Sequence, residues 1–295
     1  MKNKITCLLA GAALFGATAN AEIALGESLS ASGYIDIVAV DGDAVGGNKE
    51  MTTTEFELGL SFTPAESAFS AVAELSFGEA DVEWETVTIT YQHSDALSFT
   101  FGNILSYQGL ESYDAPNNYF VSYAGKDNSA LYSAGYATGI SADYSTGDFA
   151  LGVWAGDSVA GDSLDLEYYI GYTGIENLTL AVALADNNEG GETTNFMVTY
   201  EYDAFTLMAE TVESEDFAVG SNLDVTAITA AYAMGDTTYA IRLADGDYEG
   251  VDYEKLSVSA FHAFSDNVSA GVEFLDEEQG SMSGDSIAFE LLYVY

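Results

Sequence analysis

Apolar side chains occupy every second position along most of this chain. Between 287 and 295, Ile287, Phe289, Leu291, Tyr293 and Tyr295 alternate with Ala288, Glu290, Leu292 and Val294. A strand with that period presents one wholly apolar face and one mixed face. The same alternation runs through 29–37, 55–62, 69–77, 87–91, 97–101, 132–144, 149–155, 164–172, 178–184, 194–202, 205–211, 223–234, 238–244, 256–264 and 268–274. The longer segments run to about nine residues or more, near the length a tilted strand needs to cross a bilayer. The strands of a soluble sandwich usually have about five or six. The pattern predicts an all-β fold, a transmembrane antiparallel β-barrel of about sixteen strands. An even count suits a barrel with both termini on one side. Weak alternation over 226–234, and the wrong parity of Glu83 and Glu85, leave fourteen and eighteen open.

The connections support the same reading, because short turns alternate with longer loops. Tight turns are expected at 63–66, 93–96, 145–148, 203–204, 235–236 and 265–267, and Gly- and Asp-rich loops at 41–50, 213–222 and 276–285. Aromatic residues bracket the turns, among them Tyr144 and Phe149, Tyr202 and Phe205, and Phe261 and Phe264, as an interfacial girdle would. The two prolines, Pro64 and Pro116, fall in a turn and a loop. Neither interrupts a hydrogen-bond ladder.

The amino terminus reads as a signal peptide over 1–21: Lys2 and Lys4, an apolar run from Ile5 to Phe15, then Ala19-Asn20-Ala21 at the cleavage site. Residues 22–295 then form the barrel. Cys7, the sole cysteine, leaves with the signal, so the mature chain holds no disulfide. Lys2 and Lys4 leave too, and four basic residues remain against 48 acidic ones. Such a charge repels nucleic acid and favours cations. It also serves solubility in a salty habitat.

One connection is too long for a turn. Residues 103–128 contain Tyr107, Glu111, Tyr113, Asp114, Pro116, Asn118, Lys126 and Asp127, and long irregular segments are usually functional. The terminal aromatic strand resembles the carboxy-terminal signature of bacterial outer-membrane barrels, read by their assembly machinery. With the third long loop at 103–128, the chain resembles the general sixteen-stranded porins of Gram-negative bacteria. The stretch 102–123, a glycine-led strand followed by a loop with Glu111 and Pro116, resembles the OmpL-like porins. The resemblance implies that the third loop folds inward and narrows a pore, that Tyr107, Glu111, Tyr113, Asp114, Asn118, Lys126 and Asp127 line that constriction, and that the protein is a homotrimer in contact with outer-membrane lipid and lipopolysaccharide. The other arrangement for the loop is an extracellular flap.

Parity opposite the apolar set puts Asp36, Glu55, Glu57, Glu74, Asp143, Asp165, Glu167, Glu201, Glu210, Glu273 and Glu290 on the lumen wall, with Arg242 and Lys255 as the positive charges. Rings of carboxylates favour cations in a watery pore. General porins often set a basic wall against an acidic loop, and here that wall is thin. The expected function is passive diffusion of small hydrophilic solutes, with cation preference. The alternative is a plugged surface barrel serving as an adhesin or structural protein. Arg242 could equally pair with a lumen carboxylate. Catalysis is not expected, since His93 falls in a turn and His262 near a strand end, without a recognisable nucleophile spacing. No cofactor is expected beyond Ca2+ or Mg2+ loosely held at acidic loops such as Asp41-Gly42-Asp43 and Asp245-Gly246-Asp247-Tyr248-Glu249, which lack EF-hand spacing.

Overall fold

In the computed structural model, the described residues are 22–42, 50–78, 82–125, 129–131, 135–157, 164–187, 191–218 and 221–295. The signal segment expected at 1–21, Asp43, and the loop residues Lys126 and Asp127 lie outside them.

Seventeen strands follow one another: β1 (Ile23–Ala24), β2 (Leu29–Gly42), β3 (Glu50–Phe62), β4 (Phe69–Phe77), β5 (Val82–Gln92), β6 (Leu97–Leu105), β7 (Tyr136–Thr146), β8 (Phe149–Asp157) and β9 (Leu164–Ile175). The second half comprises β10 (Leu178–Asn187), β11 (Gly191–Tyr202), β12 (Phe205–Ala218), β13 (Ser221–Met234), β14 (Thr237–Tyr248), β15 (Val251–Ser265), β16 (Val268–Gln279) and β17 (Met282–Val294). From β2 onward each strand pairs antiparallel with the next, and β17 pairs back onto β2 with Leu291 opposite Ile37. The sheet is a closed barrel of sixteen strands, and closure removes both edges. Tyr295 and Gly33 exchange backbone hydrogen bonds of 3.0 Å at the end of this seam. Beyond it β1 takes up the same edge of β2, with Ile23 opposite Ala31.

Tight hairpins join neighbouring strands at one rim. Their two-residue turns carry Gly147, Asn177, Asp203 and Gly235 at positive φ (54–65°), the backbone that matches the twist of a hairpin. Near this rim Phe69 stacks on Tyr91, Phe149 packs on Tyr172 and Phe205 on Tyr232, with ring centroids 4.6–4.9 Å apart. All three are cross-strand neighbours, and together they form an aromatic girdle.

Parity follows the sequence closely. On β17, Ile287, Phe289, Leu291 and Tyr293 are exposed on the outside while Ala288, Glu290 and Leu292 are buried within. A band of exposed Phe, Ile, Leu, Val and Tyr covers the barrel, including Ile89, Ile170, Leu207 and Ile228. Water would not tolerate that band at this size, and a bilayer would.

Four expectations need correction. Glu83 and Glu85 are not out of register, because β5 carries a bulge where Ala73 pairs with Val87 but Leu75 with Trp84. The extra residue turns Glu85 inward while Trp84 and Val87 both remain exposed outside. The segment 226–234 alternates poorly because both its faces are apolar. Leu223, Val225, Ala227 and Ala231 point inward and are buried. The loops expected at 213–222 and 276–285 are mostly strand: β12 reaches Ala218, β13 starts at Ser221, β16 reaches Gln279 and β17 starts at Met282. These ladders extend past the apolar band, where neither face needs grease, so hydropathy gave no signal of strand. Last, β6 runs to Leu105 and β7 begins at Tyr136. The long connection therefore spans 106–135 rather than 103–128.

Candidate functional site

The described part of this connection, 106–125 with 129–131 and 135, does not leave the barrel as a flap; it turns inward and bonds to the inner wall. Ser106 Oγ donates to Glu167 Oε1 (2.8 Å), and the Tyr107 N–H to Glu167 Oε2 (2.8 Å). The Tyr107 hydroxyl donates to Asp143 (2.6 Å). The Gly109 N–H donates to Asn195 Oδ1 (2.7 Å), whose amide in turn donates to Glu210 (2.8 Å). A loop whose backbone would otherwise be stranded inside a barrel needs such partners.

Arg242 of β14 is the central fastener. Its guanidinium pairs with Glu111 and donates to Ser122 Oγ (2.8 Å), the Tyr123 carbonyl (3.0 Å) and Ser257 Oγ (3.1 Å). It also lies 4.4 Å over the Phe120 ring. Glu111 accepts from the Ala124 N–H as well (2.8 Å). Lys255 of β15 donates to the Gly125 carbonyl (3.0 Å), Tyr253 to the Ala124 carbonyl (2.9 Å) and Ser259 to the Tyr119 carbonyl (2.6 Å). Glu273 of β16 receives the Ser122 N–H (2.8 Å). Ala124, Ala130 and Leu131 of the loop then pack on Val212, Leu223, Val225, Tyr248 and Tyr253. This apolar seat explains the inward-facing residues of β13. Grease points inward wherever the loop, rather than water, is the neighbour.

The loop thus covers the wall from β7 to β16. Its tip is a single 3-10 turn, Ala115–Asn117, started by Asp114 and Pro116. Asn118 braces the tip from within, accepting from the Ser112 N–H (3.1 Å) and donating to its carbonyl (2.7 Å). Tyr113 packs against Tyr123 and Tyr136. Asp114 faces the opposite wall. Burial, and the charges of Glu74 and Glu55, push its carboxyl up to about 6 against an opposing hydrogen bond from Asn117. It also lies within electrostatic reach of Glu57 and Glu85.

The residues assigned by parity to the lumen wall therefore divide. Asp143, Glu167, Glu210, Glu273, Arg242 and Lys255 sit behind the loop and hold it; the last two are only 2% and 3% exposed. Asp36, Glu55, Glu57, Glu74 and Glu290 belong to the wall that the loop faces, on β2, β3, β4 and β17. Asp36 and Glu290 are neighbours across the seam. Asp165 lies near the long-loop end of β9 and Glu201 near the turn end of β11. Among the described residues, Arg242 and Lys255 are the only Lys or Arg side chains. Between loop and facing wall, Asp114 meets a group of carboxylates joined by Tyr34, of which Asp36, Glu57 and Glu290 are themselves only 8%, 7% and 5% exposed. Sequence reasoning missed Glu85, hidden by the bulge, and the loop holders Asn195, Ser257 and Tyr253. Their inward parity was readable, but their partners lie up to 135 residues away.

His93 and His262 lie at the turn rim, His93 against Tyr91 and His262 bonded through Nδ1 to Thr237 (2.9 Å). The acidic turn after β14 is strand up to Tyr248, and Asp247 closes it by accepting from the Gly250 N–H (2.6 Å).

No curated protein matches the chain in sequence. Solved structures do match in fold. A five-site variant of the Rh. blastica porin is 14% identical, with a TM-score of 0.68 over 90% of this chain and all of that one. A three-site variant is 15% identical, with the same score and coverage. Another triple variant, of Rhodopseudomonas blastica porin, is 14% identical with a TM-score of 0.67 and the same coverage. At such identities the likeness speaks for the fold alone, but the sequence itself adds to it, since residues 8–280 match the pattern of a family described as Gram-negative porin. A sixteen-stranded barrel with its long connection folded inside, matched to that pattern over nearly its whole length, belongs to the Gram-negative porin family.

Proposed function

We propose that this porin is a cation-preferring diffusion channel for small hydrophilic solutes. Family and fold make it an outer-membrane porin. The preference rests on one observation: Arg242 and Lys255 are spent beneath the loop, whereas Asp114 stands opposite Glu55 and Glu74 across the remaining lumen. A low-dielectric wall around like charges focuses their field and raises the local concentration of counter-ions. Loop and wall set the size limit, and transport needs no chemical step. We assign no catalytic role to His93 or His262.

Homotrimeric assembly, contact with lipopolysaccharide and recognition of the C-terminal strand by the assembly machinery belong to the same proposal, carried by the resemblance to general porins. The test is reconstitution of the folded protein in a planar bilayer. Stepwise conductance increments support the channel. A folded barrel that gives no conductance would instead favour the plugged surface protein.

A further inference from the structure

Among the described residues, one group of three carboxylates comes close enough to share an ion: Glu55, Glu57 and Glu85 each offer an oxygen, all within 4.8 Å of one another. Three independent features build the group. Glu55 and Glu57 share the inward face of β3, and the bulge in β5 turns Glu85 toward them. Asn103 donates from its side chain to the Glu85 carbonyl, fixing that bulge. Ser76 Oγ donates to Glu55 Oε1, which orients the carboxylate and leaves its second oxygen available.

The orphaned atoms point to an occupant. Glu57 is 7% exposed; its Oε2 and the buried Oε2 of Glu85 have no hydrogen-bond donor, and the two carboxyls lie against each other. Leaving a buried carboxylate oxygen without a donor is costly, and two such oxygens in one cluster double the cost. Arg242 and Lys255 are committed to the loop on the far wall. Gly59, also inward on β3, lies against Ser32 and the Glu74 side chain.

We propose that Glu55, Glu57 and Glu85 form a divalent-cation site in the wall of the passage, with Ca2+ as the ion that fits. Ca2+ bonds of about 2.3–2.6 Å place opposite oxygens about 4.6–5.2 Å apart, whereas Mg2+ requires about 4.0–4.2 Å and gives up water reluctantly. Three oxygens gathered within 4.8 Å of one another fall inside the span of a Ca2+ shell, which water or Glu74 completes. The site is separate from the acidic loops at 41–43 and 245–249. It goes beyond the channel reading, and binding is read without conduction, so the two stand or fall separately.

The experiment is isothermal titration of the full folded protein in detergent, stripped with EDTA, using CaCl2 alone and, in a second arm, MgCl2 alone. Expected is a single Ca2+ site with Kd on the order of 10⁻⁵ to 10⁻³ M, weakened at least tenfold in Glu57→Gln and unaffected in the control Asp245→Asn. Retention of the heat-modifiable shift on a gel shows that each variant is folded; should Glu57→Gln fail to fold, Glu85→Gln takes its place. No binding by the wild-type protein, or an isotherm unchanged in the folded variant, overturns the site. Mg2+ binding as tight as Ca2+ overturns the choice of ion.

Discussion

Arg242 and Glu111 form a buried ion pair between β14 and the inward loop, and this pair removes the described lumen's one guanidinium from the path of solutes. Breaking a buried pair from one side leaves an uncompensated charge, at a cost of about 3–5 kcal/mol. Arg242→Met should therefore loosen the loop without unfolding the barrel, whose ladder does not depend on it. Limited proteolysis of the folded protein should show cleavage within 106–135 that the wild type resists. The double variant Arg242→Met with Glu111→Leu should recover part of the loss, because it leaves neither charge stranded.

The same pair separates two residues that the sequence puts on an equal footing. Glu111 is already neutralised by Arg242, while Asp114 faces carboxylates. Asp114→Asn should lower the cation-to-anion permeability ratio roughly twofold. Replacing Arg242 and Glu111 together by glutamine removes no net charge and should leave the ratio near that of the wild type. Reversal potentials of the three proteins decide between these outcomes.

Acidity should act through Asp114. Its carboxyl is raised to about 6, so it is charged above that pH and neutral below. Cation preference should fall as pH drops through about 6, and Asp114→Asn should lack that component. For stability the sign is opposite to that of a salt-bridged acid. The docked state binds the proton more tightly than the unfolded chain, where an Asp titrates at about 3.9. Docking is then most favourable below about pH 4, weakens as pH rises to about 6, and is level above. Protease resistance of the loop at pH 5 and pH 8 checks the direction.

The apolar seat beneath the loop gives a packing test. Leu131 is fully buried against β12, β13 and their neighbours. Truncation to Ala in such a site costs about 2–5 kcal/mol. Leu131→Ala should raise loop cleavage and open-channel noise, while the barrel still migrates as a folded species.

On the outside, Ile228 is exposed on the apolar band. Ile228→Arg should cost about 2–4 kcal/mol if it sits at the bilayer midplane. Glu74→Arg, on the inner face, should fold with little loss and shift selectivity toward anions. Denaturant titration in lipid and reversal potential measure the two effects.

Sheet architecture was readable because lipid imposes one simple rule on every second residue of each spanning strand. The rule lapses in three places, and each lapse hides a strand or a side chain from the pattern. Past the bilayer the ladder of β16 and β17 continues through Glu277 and Asp285 with no apolar face, so it looks like loop. Under the inward connection, Leu223 and Val225 meet protein instead of water, so β13 seems to lose its period. At the β5 bulge one extra residue reverses the parity of Glu85. The inward-facing acids could be found by counting. Which of them face the passage and which grip the loop depends on contacts such as Ser122 with Glu273, 151 residues apart, which no local pattern encodes.

The most direct measurement is the reversal potential of single channels in a planar bilayer under a KCl gradient at neutral pH. With carboxylates on both sides of the passage and the basic side chains held behind the loop, K+ should carry most of the current and the potential should approach the K+ equilibrium value. A potential near zero, or one displaced toward the Cl− equilibrium value, would contradict the placement of charge on which the account rests.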